Sequence, residues 1–120
     1  MEPNDDVRRG AAANGNDVTW LPVGPVASIA DGDYAQLEID TMLVAVFNIH
    51  GTFYAIEDTC THDGGELAGG ALEDDVVICP RHGARFCLRT GAALTPPAYE
   101  PVKTFETRIT DGIVEVQAPD

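Results

Sequence analysis

Two of the three cysteines and two of the three histidines in this 120-residue chain fall in two short clusters, Cys60-Thr61-His62 and Cys79-Pro80-Arg81-His82. Two soft thiolates and two imidazoles complete a tetradentate set, suited either to one tetrahedral zinc or to a two-iron cluster with mixed ligands. Spacing helps to separate these chemistries. Zinc fingers leave roughly two to four residues between paired ligands and carry their histidines on a following helix. Here one residue separates Cys60 from His62, and no helical period follows. In Cys-x-His the side chains diverge from neighbouring loop positions, so one loop can direct its thiolate and its imidazole to different irons. A second loop doing the same would give one iron two sulfurs and the other two nitrogens.

The rest of the composition removes competitors. An odd number of cysteines fits a disulfide framework poorly. Serine occurs only at Ser28, an unpromising nucleophile for a serine hydrolase. Seven basic against twenty acidic side chains leave a formal charge of −13, which argues against nucleic acid; it either favours a basic docking face on a partner or simply keeps the protein soluble. No stretch approaches the ~20 apolar residues that cross a bilayer, and residues 1–17 lack the apolar core of a secretory signal. A cytoplasmic protein with reduced thiols and no membrane association is expected. The length suits a single domain.

The clusters must be held by strands. Residues 1–17, rich in Asn, Asp, Gly and Ala, read as a mobile tail, and the domain is expected over 18–118. Short β-like runs are predicted at 19–23, at 34–39 (alternating apolar and polar) and at 42–49, which is mostly apolar and too β-branched for a helix. His50-Gly51 makes a hairpin into 52–56. The Gly-rich stretch 60–70 reads as loop, 76–78 as a brief strand and 85–88 as another. Closing strands are predicted at 102–109 and 113–116 around Asp111-Gly112. No sustained helical period and no internal repeat is evident. The expectation is an all-β, small antiparallel domain with a loop-rich, cluster-binding lobe inserted at about 58–90.

Cys60-Thr61-His62-Asp63-Gly64-Gly65 and Cys79-Pro80-Arg81-His82-Gly83-Ala84 resemble the two ligand boxes of Rieske [2Fe–2S] proteins. Phe53-Tyr54-Ala55-Ile56 leads into the first box as strands do in soluble Rieske ferredoxins. Arg89-Thr90-Gly91 and Pro96-Pro97 resemble the exit turn and the proline loop that shields the cluster. The resemblance runs from about Thr19 to Gln117. It implies that Cys60 and Cys79 bind one iron, and that His62 and His82 bind the other through Nδ1. One [2Fe–2S] cluster per chain follows. His50 lies outside both boxes, and Cys87 matches neither; Cys87 is expected to be a buried thiol packed in its strand, with a redox or secondary-metal role as the alternative.

The resemblance further implies a one-electron carrier without a catalytic domain, passing electrons from a flavoprotein reductase to a non-haem iron (ring-hydroxylating) terminal oxygenase. A monomer is the natural expectation. Accessory proteins such as a nitrite-reductase small subunit, or a component associated with iron–sulfur assembly, share the same chemistry. A zinc-stabilised binding module is the alternative outside it. High-potential Rieske proteins carry a disulfide where Gly65 and Arg81 stand here, and hydroxyl donors where Ala84 and Phe86 stand. Fewer donors to sulfur disfavour the reduced state, so a potential at the low end of the family range, about −150 mV, is expected.

Overall fold

The computed structural model describes residues 19–61, 64–96 and 98–118. Ten strands form three antiparallel sheets, and no α-helix occurs among the described residues. Trp20–Pro25 (β1), Ile113–Gln117 (β10) and Thr107–Thr110 (β9) make the first sheet, in the order β1-β10-β9. The central sheet comprises Tyr34–Ile39 (β2), Met42–Ile49 (β3), Thr52–Glu57 (β4) and Thr104–Phe105 (β8), in sequence order. Leu72–Glu73 (β5), Val76–Ile78 (β6) and Arg85–Cys87 (β7) form a third, small sheet inserted between β4 and β8.

Side-chain alternation on β3 explains why it reads as a continuous apolar run. Val44 and Val46 point into a core shared with Ile29, Ile39, Phe53, Ala55, Val114 and Val116. Ala45 and Phe47, on the opposite face, point into a second core with Ile56, Cys60, Leu67, Val77, Cys79, Phe86 and Leu88. A strand buried on both faces has no polar alternation to show. The central sheet is therefore the wall between a β base and the inserted lobe.

Local turn chemistry fixes the registers. Ile49 pairs with Thr52 and Thr110 with Ile113, so His50-Gly51 and Asp111-Gly112 are two-residue hairpin loops. All four loop residues have positive φ, the geometry whose twist matches the flanking strands.

The closing strand predicted as one element over 102–109 is two. β8 pairs with β4, and β9 pairs with β10, so the chain leaves the central sheet for the first sheet at Glu106. Strands that turn corners in this way join packed sheets, and nothing in residue alternation marks the switch. The predicted tail, 1–17, lies outside the described residues.

Candidate metal centre

Loop 60–65 leaves the end of β4. The N–H of Cys60 donates to the Gly65 carbonyl (2.7 Å), and the Cys60 carbonyl accepts from the Gly64 N–H (2.7 Å). Loop 79–84 joins β6 to β7 in the same way: Cys79 N–H donates to the Ala84 carbonyl (2.7 Å), and Gly83 N–H to the Cys79 carbonyl (3.0 Å). Gly64 and Gly83 take φ of 78° and 77°, a left-handed turn that glycine adopts without strain. The two boxes thus share one backbone frame, opened by a buried cysteine and closed by a left-handed glycine.

Cys60 and Cys79 are 0 and 1 % exposed and belong to the same lobe core. His82 stands exposed at the tip of its loop. His62 and Asp63 lie outside the described residues. Among the described residues no three Cys, His, Asp or Glu side chains converge as a metal site; the described members of the predicted set are the two buried cysteines and the exposed His82. His50, in the β3–β4 hairpin, pairs its Nδ1 with Asp31 (3.0 Å), outside both loops.

Three further ties seat the loops. Buried Asp58, at the end of β4, accepts the Leu67 and Ala68 N–H groups on one oxygen (2.7 and 2.8 Å) and Gln36 Nε2 on the other (2.6 Å). The Thr61 hydroxyl donates to the Glu100 carbonyl (2.7 Å), drawing the proline-bearing segment against the first loop. Arg81 of the second loop donates through one terminal nitrogen to the Glu66 carbonyl (3.0 Å) and to Cys79 Sγ (3.4 Å). That sulfur contact was not legible in the sequence, where the absence of hydroxyls at Ala84 and Phe86 suggested few donors. Arg85 and Arg89 form ion pairs within the lobe, with Glu73 and Asp75.

The frame occurs a third time. Cys87 N–H donates to the Ala92 carbonyl (2.9 Å), and Gly91 N–H donates to the Cys87 carbonyl (2.7 Å), with Gly91 at φ 80°. The expectation of no internal repeat is therefore corrected: Cys-x-x-x-Gly-Gly/Ala begins at 60, 79 and 87. Repeats this short are turn motifs rather than a domain-scale period. In the third loop Thr90 occupies the position that His82 holds in the second. Cys87 is buried and joined to no disulfide. Burial pushes its thiol up, but the Thr90 hydroxyl and the N–H groups of Thr90 and Arg89 outweigh it and hold the pKa below the ordinary thiol range.

A family model described as the Rieske [2Fe–2S] domain matches residues 19–106. The chain belongs to the Rieske [2Fe–2S] family. It is 42 % identical over 98 residues to the 3-phenylpropionate/cinnamic acid dioxygenase ferredoxin subunit of Escherichia coli strain K12, covering 80 % of this chain and 91 % of the relative. The Sphingomonas yanoikuyae B1 ferredoxin is 33 % identical with a TM-score of 0.77, covering 84 % of this chain and all of that one. A chain in a complex of reduced oxygenase and oxidized ferredoxin of carbazole 1,9a-dioxygenase gives 35 % identity and a TM-score of 0.77, over 81 and 91 % of the two chains.

Family and fold make this Rieske protein a ferredoxin-type electron carrier, not a catalyst, with a [2Fe–2S] cluster as its cofactor. The site's own chemistry fits that group. Matched turns present two buried thiols at equivalent positions of their loops, and each has an imidazole in the same loop sequence, the donor set of a mixed-ligand cluster. No helix among the described residues is long and apolar enough to cross a membrane.

Proposed function

We propose that Cys60 and Cys79 hold one iron of the cluster, that His62 and His82 hold the other, and that the protein feeds single electrons to a ring-hydroxylating terminal oxygenase. The observation that carries the ligand assignment is that loops 60–65 and 79–84 share one hydrogen-bond frame and bury Cys60 and Cys79 in the same core, and that each includes a histidine, which the third loop of that frame lacks. When bound, the cluster supplies one-electron redox chemistry. The chain's own residues hold it and set its surroundings: β4 and β6 position the cysteines, while His82 faces outward, where a partner can approach.

The oxygenase is proposed as electron acceptor because relatives are dioxygenase ferredoxin subunits and one is a ferredoxin in a complex with its oxygenase. A flavoprotein reductase is proposed as the donor, since a two-electron flavin carrier can release electrons singly to a one-electron acceptor. The proposed domain runs over 18–118, with its cluster lobe at about 58–90; the protein acts as a cytoplasmic monomer. The −13 charge suits partners with basic docking faces.

Stopped-flow mixing of anaerobically reduced protein with a phenylpropionate-type terminal oxygenase tests this reading. Oxidation of the carrier at a rate that saturates with oxygenase concentration is expected; a carrier that stays reduced overturns the partner assignment. A redox titration is expected near −150 mV, the low end of the family range, and a value well above zero contradicts it.

A further inference from the structure

Arg81 and Gly65 meet across the two loops. A Cβ at Gly65 would lie 2.3 Å from Arg81 Cζ, 2.5 Å from its Nη2 and 2.6 Å from its Nε. The guanidinium therefore rests directly on the Gly65 backbone, a position available only because residue 65 has no side chain. From there the same Nη2 reaches the Glu66 carbonyl of the first loop and Cys79 Sγ of the second. One planar, permanently charged group thus spans both loops and points a donor at a sulfur.

We propose that Arg81, seated by Gly65, is a positioning residue that stabilises the reduced state of the cluster, and that the missing side chain at Gly65 is what admits it. This rests on the assignment of Cys79 as a ligand. The argument is electrostatic. Reduction adds one electron to the cluster, so negative charge next to Arg81 rises. A charge-assisted hydrogen bond to sulfur strengthens with that charge, and a fixed cation nearby favours the more negative state. The exposed guanidinium is partly screened by water and salt, so a moderate effect is expected. The carbonyl contact to Glu66 holds the fork in place, so lysine, with one point charge and no fork, reproduces the charge without the geometry.

The test is a redox titration of the cluster-loaded protein alongside R81Q, R81K, G65A and the G65A/R81Q pair. Visible and EPR spectra establish first that each variant carries the cluster. R81Q is expected to lower the equilibrium constant for one-electron reduction about tenfold, which is about 59 mV. R81K is expected to fall between R81Q and the parent. G65A, which leaves Arg81 in the chain but removes its seat, is expected to match R81Q, with no further shift in the pair. An unchanged potential in loaded R81Q overturns the proposal, as do additive shifts in G65A/R81Q. If R81Q fails to load, R81K and G65A decide by the same criterion. Failure of the parent protein itself to bind iron and sulfide defeats the ligand assignment and this proposal together; unchanged potentials in loaded variants defeat this proposal alone.

Discussion

Loops 79–84 and 87–92 are built on the same frame, yet only one belongs to the proposed centre. Each opens with a buried cysteine, closes with a left-handed glycine and makes the same pair of backbone hydrogen bonds. They differ in the residue before that glycine: His82 in one, Thr90 in the other. In the first case a second ligand is available in the loop. In the second, the Thr90 hydroxyl accepts the Ala92 N–H (3.2 Å) and serves Cys87 as a hydrogen-bond donor, so the thiol is satisfied within the loop. Backbone geometry makes the same cradle for sulfur in both loops, and on the proposed assignment the neighbouring side chain decides whether that sulfur goes to metal.

The sharpest way to break the comparison is to exchange what each loop's fourth residue supplies. His82→Ala is expected to abolish the EPR signal of the reduced protein, whereas Thr90→Val and His50→Ala leave it intact. Loss of the signal in Thr90→Val would show that the third loop takes part in the centre.

The glycines differ next. At Gly83 an added Cβ meets nothing within 4 Å, so Gly83→Ala suffers only the left-handed strain, about 1 kcal/mol. At Gly91 the added Cβ lies 2.2 Å from the Val102 carbonyl oxygen, which the backbone cannot readily yield. Gly91→Ala is expected to destabilise by about 3 kcal/mol, strain and overpacking together, in denaturant unfolding. Equal losses at the two sites would mean that the loops are not held as described.

The smallest effect concerns protons. Because the Cys87 pKa is lowered in the fold, its linkage to stability is fully present above the unfolded thiol's pKa and is lost as pH falls through the folded value. Thr90→Val removes one donor, so the pH profile of Cys87 alkylation, measured with the cluster bound, is expected to move upward. A profile unmoved by that substitution would assign the shift to the backbone donors alone.

The base of the molecule was readable from residue pattern and the lobe from its chemistry. Alternation along 34–39 and the turns His50-Gly51 and Asp111-Gly112 prescribed the hairpins, because side-chain period and left-handed turns are local properties. The split at Glu106 was hidden, since β8 and β9 continue one extended chain and differ only in distant partners. β5, at two residues, carries no period at all. At the site, residue type points to Cys60, His62, Cys79 and His82, whereas the third cradle is a backbone frame around a cysteine with no histidine in its loop, which residue type does not mark. The Arg81–Gly65 contact joins loops sixteen positions apart, and only the packed chain brings those groups together.

Nitrogen couplings measured by pulsed EPR on the reduced, histidine-labelled protein test the ligand assignment most directly. Two strongly coupled histidine nitrogens are expected, with one lost in any His82 variant that retains iron. A spectrum without histidine couplings, or colourless protein carrying a single zinc, would contradict it.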